Sequence, residues 1–294
     1  MVENEVGKQK IEMTGFKSIT GIEELLERYD TFLVDQFGVL LHDRGAYPHA
    51  PDTLRRLSAL GKRVVLLSNS GQRSAPNIQR LLSLGFSRSS FETVLTSGEL
   101  AHSYLMNLPE AGLSRNVAVL VIAENPAAHL DALPLRVARN SEEAQLLLIA
   151  GSDPRHVSLE SYRTLLAPLA DKGIHCLCTN PDTIRLSQFG TTYGPGAVAE
   201  LYEALGGTVH RIGKPYPMMY AAAFDWLGDV DQSGVVCVGD SPVHDIAGAQ
   251  QAGLDSVLIR SGIHADESLG EIYNQCVQLQ ALPDFVLERY QFAS

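Results

Sequence analysis

The sequence predicts an α/β fold built on a parallel sheet. Along most of the chain, strand-like apolar runs alternate with segments of helical periodicity, which is typical of a parallel sheet flanked by helices. Several of these runs end in polar residues, as expected at the carboxyl edge of such a sheet, where ligands bind. With 294 residues, 45% of them hydrophobic and 19% charged, the chain can form one large domain or two moderate ones.

The predicted elements alternate in a regular order. A first helix is predicted over 21–29 from its apolar spacing, and a later one begins at Ser158, a residue type that caps helices. Glycines such as Gly61, Gly85 and Gly173 end three of the helices. The predicted strands are TFLVD, RVVLLS, NVAVLVIA, AQLLLIAG, HCLC, GVVCVG and DSVLIRSG, and the helices between them are PDTLRRLSALG, 76–84, SLESYRTLLAPLADKG, GAVAELYEALGG and the segment after GDSPVHD.

Charge and composition argue against several classes of partner. The formal net charge is -11 and no Lys/Arg run appears, so a nucleic-acid partner is not expected. No apolar run reaches the roughly 18–20 residues of a membrane span, and the first residues lack the apolar core of a secretory signal. The cysteines do not form a zinc-binding pattern and suggest reduced thiols. A cytoplasmic enzyme without a membrane partner is therefore expected.

Four polar groups stand at or near the ends of apolar runs. Asp35 closes the first run, and Ser68 with Asn69 follows the second. Asp240 follows VVCVG, with Asp245 five residues later. Each has an ordinary interpretation as a turn or cap residue. Together, however, carboxylates at one edge of a sheet form the oxygen-rich site that magnesium prefers.

The fourth group is Lys214, which lies between glycine and proline in RIGKPYP. A stiff backbone on both sides suits a lysine that pairs with an anionic nucleophile and an anionic substrate. The competing interpretation is a solvated surface lysine.

The order of these residues resembles the haloacid-dehalogenase-like (HAD) superfamily. That family places a strand-end Asp, a strand-end Ser or Thr, a Lys and an acidic pair in this order, and Asp35, Ser68, Lys214, Asp240 and Asp245 match it. About 33 residues separate Asp35 from Ser68, and about 146 separate Ser68 from Lys214, so only the second gap can hold a cap domain. The segments LLIAGSD, LCTNPD, YGPGAVAELYEALGG and IGKPYPMMY resemble class IIA, which includes the NagD-like and pyridoxal phosphate phosphatases.

The resemblance implies a Rossmann-like core of residues 1–101 and 196–294 with an inserted α/β cap of the C2 type at 102–195. It also implies a magnesium-dependent phosphohydrolase that acts on a small phosphate ester, such as a sugar phosphate or nucleotide, through an aspartyl-phosphate. A homodimer formed through the cap is a further expectation. The implied roles are catalysis by Asp35, Ser68 and Lys214, substrate binding by Ser68, Asn69, Lys214, Asn180 and Asp182, and Mg²⁺ binding by Asp35, the Phe37 carbonyl, Asp240 and Asp245.

The chain departs from the family pattern at Phe37. Phosphatases of this group carry a second Asp there, which protonates the leaving alcohol, and general acid catalysis is worth roughly 10²–10⁴ in rate. His42 and Asp43 are candidates to replace this acid, although both also fit a turn. Two alternatives therefore stay open: a dehalogenase or phosphonatase, against which Asp240, Asp245 and the late insertion argue, and a weak or inactive binder of phosphorylated ligands.

Overall fold

The structure is a computed structural model that describes residues 15–107, 116–187, 190–262, 265 and 267–293. As far as it describes them, the residues form two compact units. The first unit comprises Met1–Leu67, Leu81–Val94 and Ala223–Ser294, and the second comprises Ser68–Arg80 and Leu95–Ala222.

A seven-stranded sheet runs through the first unit. Its strands are β1 (Lys17–Ser18), β2 (Thr31–Asp35), β5 (Arg63–Ser68), β6 (Thr93–Thr96), β14 (Val235–Gly239), β15 (Asp255–Ile259) and β16 (Phe285–Leu287). Their order is β1-β16-β15-β14-β2-β5-β6, and the five pairs from β1 to β5 are parallel. A small antiparallel hairpin of β3 (Leu41–His42) and β4 (Gly45–Ala46) follows β2.

The second unit has its own five-stranded sheet. Its strands are β7 (Ala118–Ile122), β8 (Arg136–Val137), β9 (Leu146–Ile149), β10 (His175–Cys178) and β13 (Thr208–Arg211). They lie in the order β13-β10-β9-β7-β8, with parallel neighbours throughout. An antiparallel hairpin of β11 (Ile184–Ser187) and β12 (Gly190–Tyr193) precedes the last of these strands.

The α-helices alternate with the strands, as the periodicity predicts. They are α1 (Ala50–Ala59), α2 (Ser74–Ser83), α3 (Ser97–Met106), α4 (Pro126–His129), α5 (Leu159–Asp171), α6 (Pro195–Ala204), α7 (Pro217–Leu227), α8 (Ala247–Gln251) and α9 (Leu269–Gln278). Ser158 caps α5 by accepting a hydrogen bond from the Ser161 N–H, as predicted. Among the described residues, no helix is long and apolar enough to cross a membrane.

Burial of apolar side chains on sheet faces holds each unit together. In the second unit, one cluster contains Leu147, Cys176 and Tyr202, and another contains Leu105, Leu148 and Ile212. Alternate residues of a strand point to opposite faces, so Leu147 and Leu148 belong to different clusters. Because both faces of the sheet are covered, its strands β7 and β9 are wholly apolar in sequence.

The predicted fold class is confirmed: a Rossmann-like parallel-sheet core carries an inserted α/β cap. The predicted helix over 21–29 is wrong in type, because only a 3₁₀ turn forms at Ile22–Leu25. Burial of Ile22 and Leu25 at a spacing of three suits a 3₁₀ turn as well as an α-helix. The domain boundaries, core 1–101 and 196–294 with cap 102–195, stay a prediction; the second compact unit additionally contains 68–80, 95–101 and 196–222.

Candidate active site

Three acidic side chains converge at the carboxyl edge of the first sheet. Asp35 is the last residue of β2, and Asp240 directly follows β14, which pairs in parallel with β2 in the register Val238 to Val34. Parallel pairing places both chain exits at the same edge. Carboxylate oxygens of Asp35, Asp240 and Asp245 all lie within 4.8 Å of one another, and the three residues are buried.

Asp245 reaches the cluster from a single π-helical turn, Pro242–Ile246. The Ser241 N–H donates to Asp245 Oδ2 at 3.0 Å, and the Asp245 N–H donates to the Ser241 carbonyl at 2.8 Å. One carboxylate oxygen is therefore engaged in holding the turn. This bond fixes the orientation of Asp245, as expected for a ligand that completes a metal site.

Two glycines make room for the Asp240 carboxylate. A Cβ at Gly38 would lie 1.9 Å from Asp240 Oδ2, and one at Gly262 would lie 1.8 Å from the same atom. Gly38 also has φ = +93°, a conformation that favours glycine. Ser261 Oγ donates to the Gly38 carbonyl at 3.1 Å, so the two glycine segments are joined. The pocket for Asp240 is thus built by backbone on two sides.

The acidic cluster has the chemistry of a site for a hard cation. Three carboxylates this close and this buried repel one another, and burial adds a desolvation cost for each charge. A divalent cation that prefers oxygen ligands, such as magnesium, offsets both the repulsion between the carboxylates and the cost of their desolvation. A metal ion could therefore be held by Asp35, Asp240 and Asp245. The absence of side chains at Gly38 and Gly262 leaves the space that the Asp240 carboxylate needs for this. A role for the Phe37 carbonyl stays a prediction.

We expect Gly262→Ala to weaken Mg²⁺ binding. The added methyl group forces Asp240 to move, and loss of the contacts that orient a metal ligand costs about 10–100-fold in metal affinity. The matched control is Gly270→Ala, because an added Cβ at Gly270 meets nothing within 4 Å. Isothermal titration with MgCl₂ measures both variants. Equal Mg²⁺ affinities would show that Asp240 is not a ligand.

In the second unit, the side chain of Asn69 fixes the backbone of Lys214. Asn69 Oδ1 accepts from the Lys214 N–H at 2.7 Å, and Asn69 Nδ2 donates to the Lys214 carbonyl at 3.0 Å. Both residues are buried, with Lys214 only 3% exposed, so the surface-lysine interpretation is wrong. A lysine held on both sides of its Cα presents its amine in a defined direction.

Ser68 and Gly213 lie in the same buried network. The Ser70 N–H donates to Ser68 Oγ at 3.2 Å, and Ser97 Oγ donates to the Ser68 carbonyl at 3.4 Å. A Cβ at Gly213 would lie 2.4 Å from Ser97 Oγ and 2.7 Å from Asn69 Oδ1. Glycine before Lys214 is therefore required by the close approach of these two side chains.

Asp182 also contacts Asn69. Asn69 Nδ2 donates to Asp182 Oδ1 at 2.8 Å, and the Asp182 N–H donates to Asn180 Oδ1 at 3.2 Å. Asn180 and Asp182 of the TNPD segment therefore both stabilise the local structure. Substrate binding by Asn180 and Asp182 stays a prediction.

Phe37 and its neighbours lie in a tight loop. The Gly38 N–H donates to the Leu41 carbonyl at 2.7 Å, and the Phe37 ring is 40% exposed. His42 ends β3, and its Nδ1 accepts from the Arg44 N–H at 3.1 Å, so His42 and Asp43 do form a hairpin turn. The described contacts assign neither of them as a replacement acid.

Comparison with known proteins identifies the family. Residues 32–131 match the model of haloacid dehalogenase-like hydrolases, and residues 211–291 match a second model described as HAD-hydrolase-like. A solved haloacid dehalogenase-like hydrolase from Brucella suis 1330 superimposes with a TM-score of 0.79 at 26% identity, over 92% of this chain and 99% of that one. The chain belongs to the HAD-like hydrolases.

Two curated relatives place this HAD-like hydrolase in class IIA. Chronophin from Homo sapiens is 28% identical over 284 residues, which cover 91% of this chain and 93% of that protein. Dihydroxyacetone phosphatase from Corynebacterium glutamicum is 37% identical over 98 residues, 33% of this chain and 35% of that protein. The second similarity is therefore restricted to about a third of either chain.

Two residues of the site in this HAD-like hydrolase are not predicted from the sequence. Ser97 is fully buried beside Ser68, and Gly262 contacts Asp240 across the sheet edge. Asn69 is predicted as a substrate-binding residue, and its side chain also holds the backbone of Lys214 from 145 residues away. No local pattern indicates any of these contacts, because each depends on a distant part of the chain.

Proposed function

We propose that this HAD-like hydrolase is a magnesium-dependent phosphohydrolase that acts on small phosphate esters. The observation that carries the proposal is the buried cluster of Asp35, Asp240 and Asp245, whose oxygens lie within 4.8 Å of one another. The phosphatase name of the Corynebacterium relative supports the same reaction class. A small phosphorylated metabolite is the proposed partner.

Asp35 is the proposed nucleophile. One carboxylate oxygen attacks phosphorus, the phosphorus–oxygen bond to the alcohol breaks, and an aspartyl-phosphate forms; water then attacks phosphorus and releases inorganic phosphate and the free carboxylate. Burial of Asp35 at the end of β2 limits its motion, which favours an attack-ready orientation. Asp35, Asp240, Asp245 and the Phe37 carbonyl would hold Mg²⁺, which would supply charge neutralisation.

Lys214 and Ser68 are proposed to bind the phosphoryl oxygens. Phosphoryl transfer depends mainly on positioning and on neutralising negative charge. The two hydrogen bonds from Asn69 to the Lys214 backbone provide the positioning. Because the backbone of Lys214 is already fixed, substrate binding restricts this residue less. More of the attraction between the lysine amine and the phosphoryl group is then available to stabilise the transition state.

A screen of substrates tests the proposed function directly. Aryl phosphates, sugar phosphates, nucleotides and 2-haloacids are incubated with the protein, with and without Mg²⁺. Release of inorganic phosphate that depends on Mg²⁺ supports the proposal. Release of halide without Mg²⁺ would instead identify a dehalogenase, and turnover of none of them would support a binding protein.

We expect Phe37 to make turnover depend strongly on the leaving group. An aryl oxide leaves readily without a proton, whereas a sugar alkoxide needs one, and a phenylalanine ring cannot donate it. Phe37→Asp should therefore raise kcat/KM for alkyl phosphates by about 10²-fold or more, within the range of general acid catalysis, and change aryl phosphates less. Steady-state kinetics on p-nitrophenyl phosphate and glycerol phosphate measure the two ratios.

Phe37→Leu is the matched control for this substitution. Position 37 is 40% exposed, so neither variant opens a cavity in the core. Leucine should leave the preference for aryl over alkyl esters unchanged. Equal rates on both ester types in the native protein would mean that another residue, such as His42 or Asp43, already serves as the acid.

A further inference from the structure

The first unit contains a cavity that is lined by residues other than those of the acidic cluster. Its volume is about 400 Å³, and the residues that line it include Tyr47, His49, Arg260, Arg289 and Gln291. Asp35, Asp240 and Asp245 are not among its described lining residues. The size falls within the range of sites that take small metabolites.

The lining carries more positive than negative charge. Among the described lining residues, Arg260 and Arg289 contribute two guanidinium groups and Glu288 one carboxylate, which pairs with Arg260, so Arg289 supplies the excess charge. Arg289 is exposed and takes part in none of the ion pairs found among the described residues. In a chain whose formal net charge is -11, a local excess of positive charge favours an anion at this position.

The start of α1 forms part of the cavity wall. His49 precedes α1, and both His49 and Ala50 line the cavity. In the described part of the chain, no side chain caps this ten-residue helix. The Ala50 N–H donates to the Tyr47 carbonyl at 3.1 Å and Pro51 has no N–H, so the start of α1 contributes shape to the cavity and no free donor from these two residues.

The wall of the cavity contains polar atoms that could bond to an occupant without breaking an existing hydrogen bond. Arg260 Nε, Tyr290 Oη and Gln291 Oε1 are shielded from solvent and have no hydrogen-bond partner within the described ranges. Buried unsatisfied groups are uncommon in folded proteins and point to a function other than stability. Because Gln291 Oε1 makes no hydrogen bond, rotation of this side chain toward an occupant breaks none at that atom.

The cavity is connected to the acidic cluster through the chain itself. Tyr47 Oη donates to the Ser261 carbonyl at 2.7 Å, and Ser261 Oγ donates to the Gly38 carbonyl at 3.1 Å. The next residue is Gly262, which contacts Asp240. An occupant that contacts Arg260 is thus two residues along the chain from Gly262, whose backbone lies beside Asp240.

We propose that this cavity is a separate binding site for a small organic anion, which Arg289 and Arg260 hold by its carboxylate or phosphate group. The Gln291 amide supplies an acceptor for a hydroxyl or amino group on the same ligand. This site is distinct from the phosphate site of the proposed reaction and does not depend on that reaction.

Isothermal titration tests the site with two probes, L-malate as the carboxylate and inorganic phosphate as the phosphate. In the native chain at least one probe should bind. Arg289→Ala should raise its Kd by about tenfold or more, because a hydrogen bond to a charged group is lost. Arg289 is exposed, so this substitution leaves the fold intact.

Arg155→Ala is the matched control, since Arg155 is an exposed arginine of the second unit and should leave the Kd unchanged. Phosphate bound at the acidic site is insensitive to Arg289→Ala, so the two phosphate sites are distinguished by this variant. The proposal is overturned if neither probe binds, or if Arg289→Ala and Arg155→Ala give the native Kd. If the protein has no phosphatase activity, this binding measurement still tests the cavity.

Discussion

Asp35→Asn should reduce kcat for p-nitrophenyl phosphate by about 10⁴-fold or more, in line with the loss of other catalytic nucleophiles. The amide is nearly the same size as the carboxylate but is a far weaker nucleophile, so attack on phosphorus stops. Asp35 is buried at the end of β2, and an amide there also relieves repulsion from Asp240 and Asp245. The variant should therefore fold at least as well as the native chain.

Asp52→Asn serves as the control for that measurement. Asp52 lies on α1 in the same unit and forms an ion pair with Arg55 in which both side chains are largely exposed. Exposed pairs contribute little to stability, so this change should leave kcat unaltered. If Asp35→Asn retained activity within tenfold of the native protein, Asp35 would not be the nucleophile.

Lys214→Ala should lower kcat by about 10²–10³-fold, the cost observed for removing one positioned donor from a developing negative charge. The hydrogen bonds from the Asn69 side chain to residue 214 involve its backbone N–H and carbonyl, so both can persist in the variant. The loss of turnover then reports on the amine itself. Kinetics on p-nitrophenyl phosphate measure kcat, and circular dichroism checks the fold.

Lys172→Ala is the lysine control, because Lys172 is exposed and lies in the same unit as Lys214. Its turnover should equal that of the native protein. Asn69→Leu offers a complementary comparison: it keeps the amine but removes both bonds to the Lys214 backbone. Unchanged kcat in Lys214→Ala would mean that the buried lysine has only a structural function.

The sequence predicts the strand-end residues well because they follow a local rule. A parallel strand that is buried on both faces is a continuous apolar run, so the polar residue that ends it is visible without any structure. Asp35, Ser68 and Asp240 were found in this way. The order of motifs then indicates the family, and the long gap before Lys214 indicates where the cap is inserted.

The remaining features depend on distant contacts. The segment 21–29 has helical spacing, yet it forms a 3₁₀ turn, and its Ile22 N–H donates to the Gln291 carbonyl at 3.0 Å, a distant contact that no local pattern indicates. Gly262 is required only because Asp240 lies 22 residues earlier in sequence and directly beside it in space. Likewise, the cavity lined by Tyr47 and Arg260 combines residues from 47–50 with residues from 260–291.

The central claim is that Asp35 attacks phosphorus, and trapping the phosphorylated enzyme tests it most directly. The protein is mixed with p-nitrophenyl phosphate and Mg²⁺, quenched in acid within one turnover, digested and analysed by mass spectrometry. We expect one phosphoryl group on the peptide that contains Asp35, absent from the Asp35→Asn protein. Turnover by the native protein with every peptide unmodified, or with the phosphoryl group on another residue, would contradict the account.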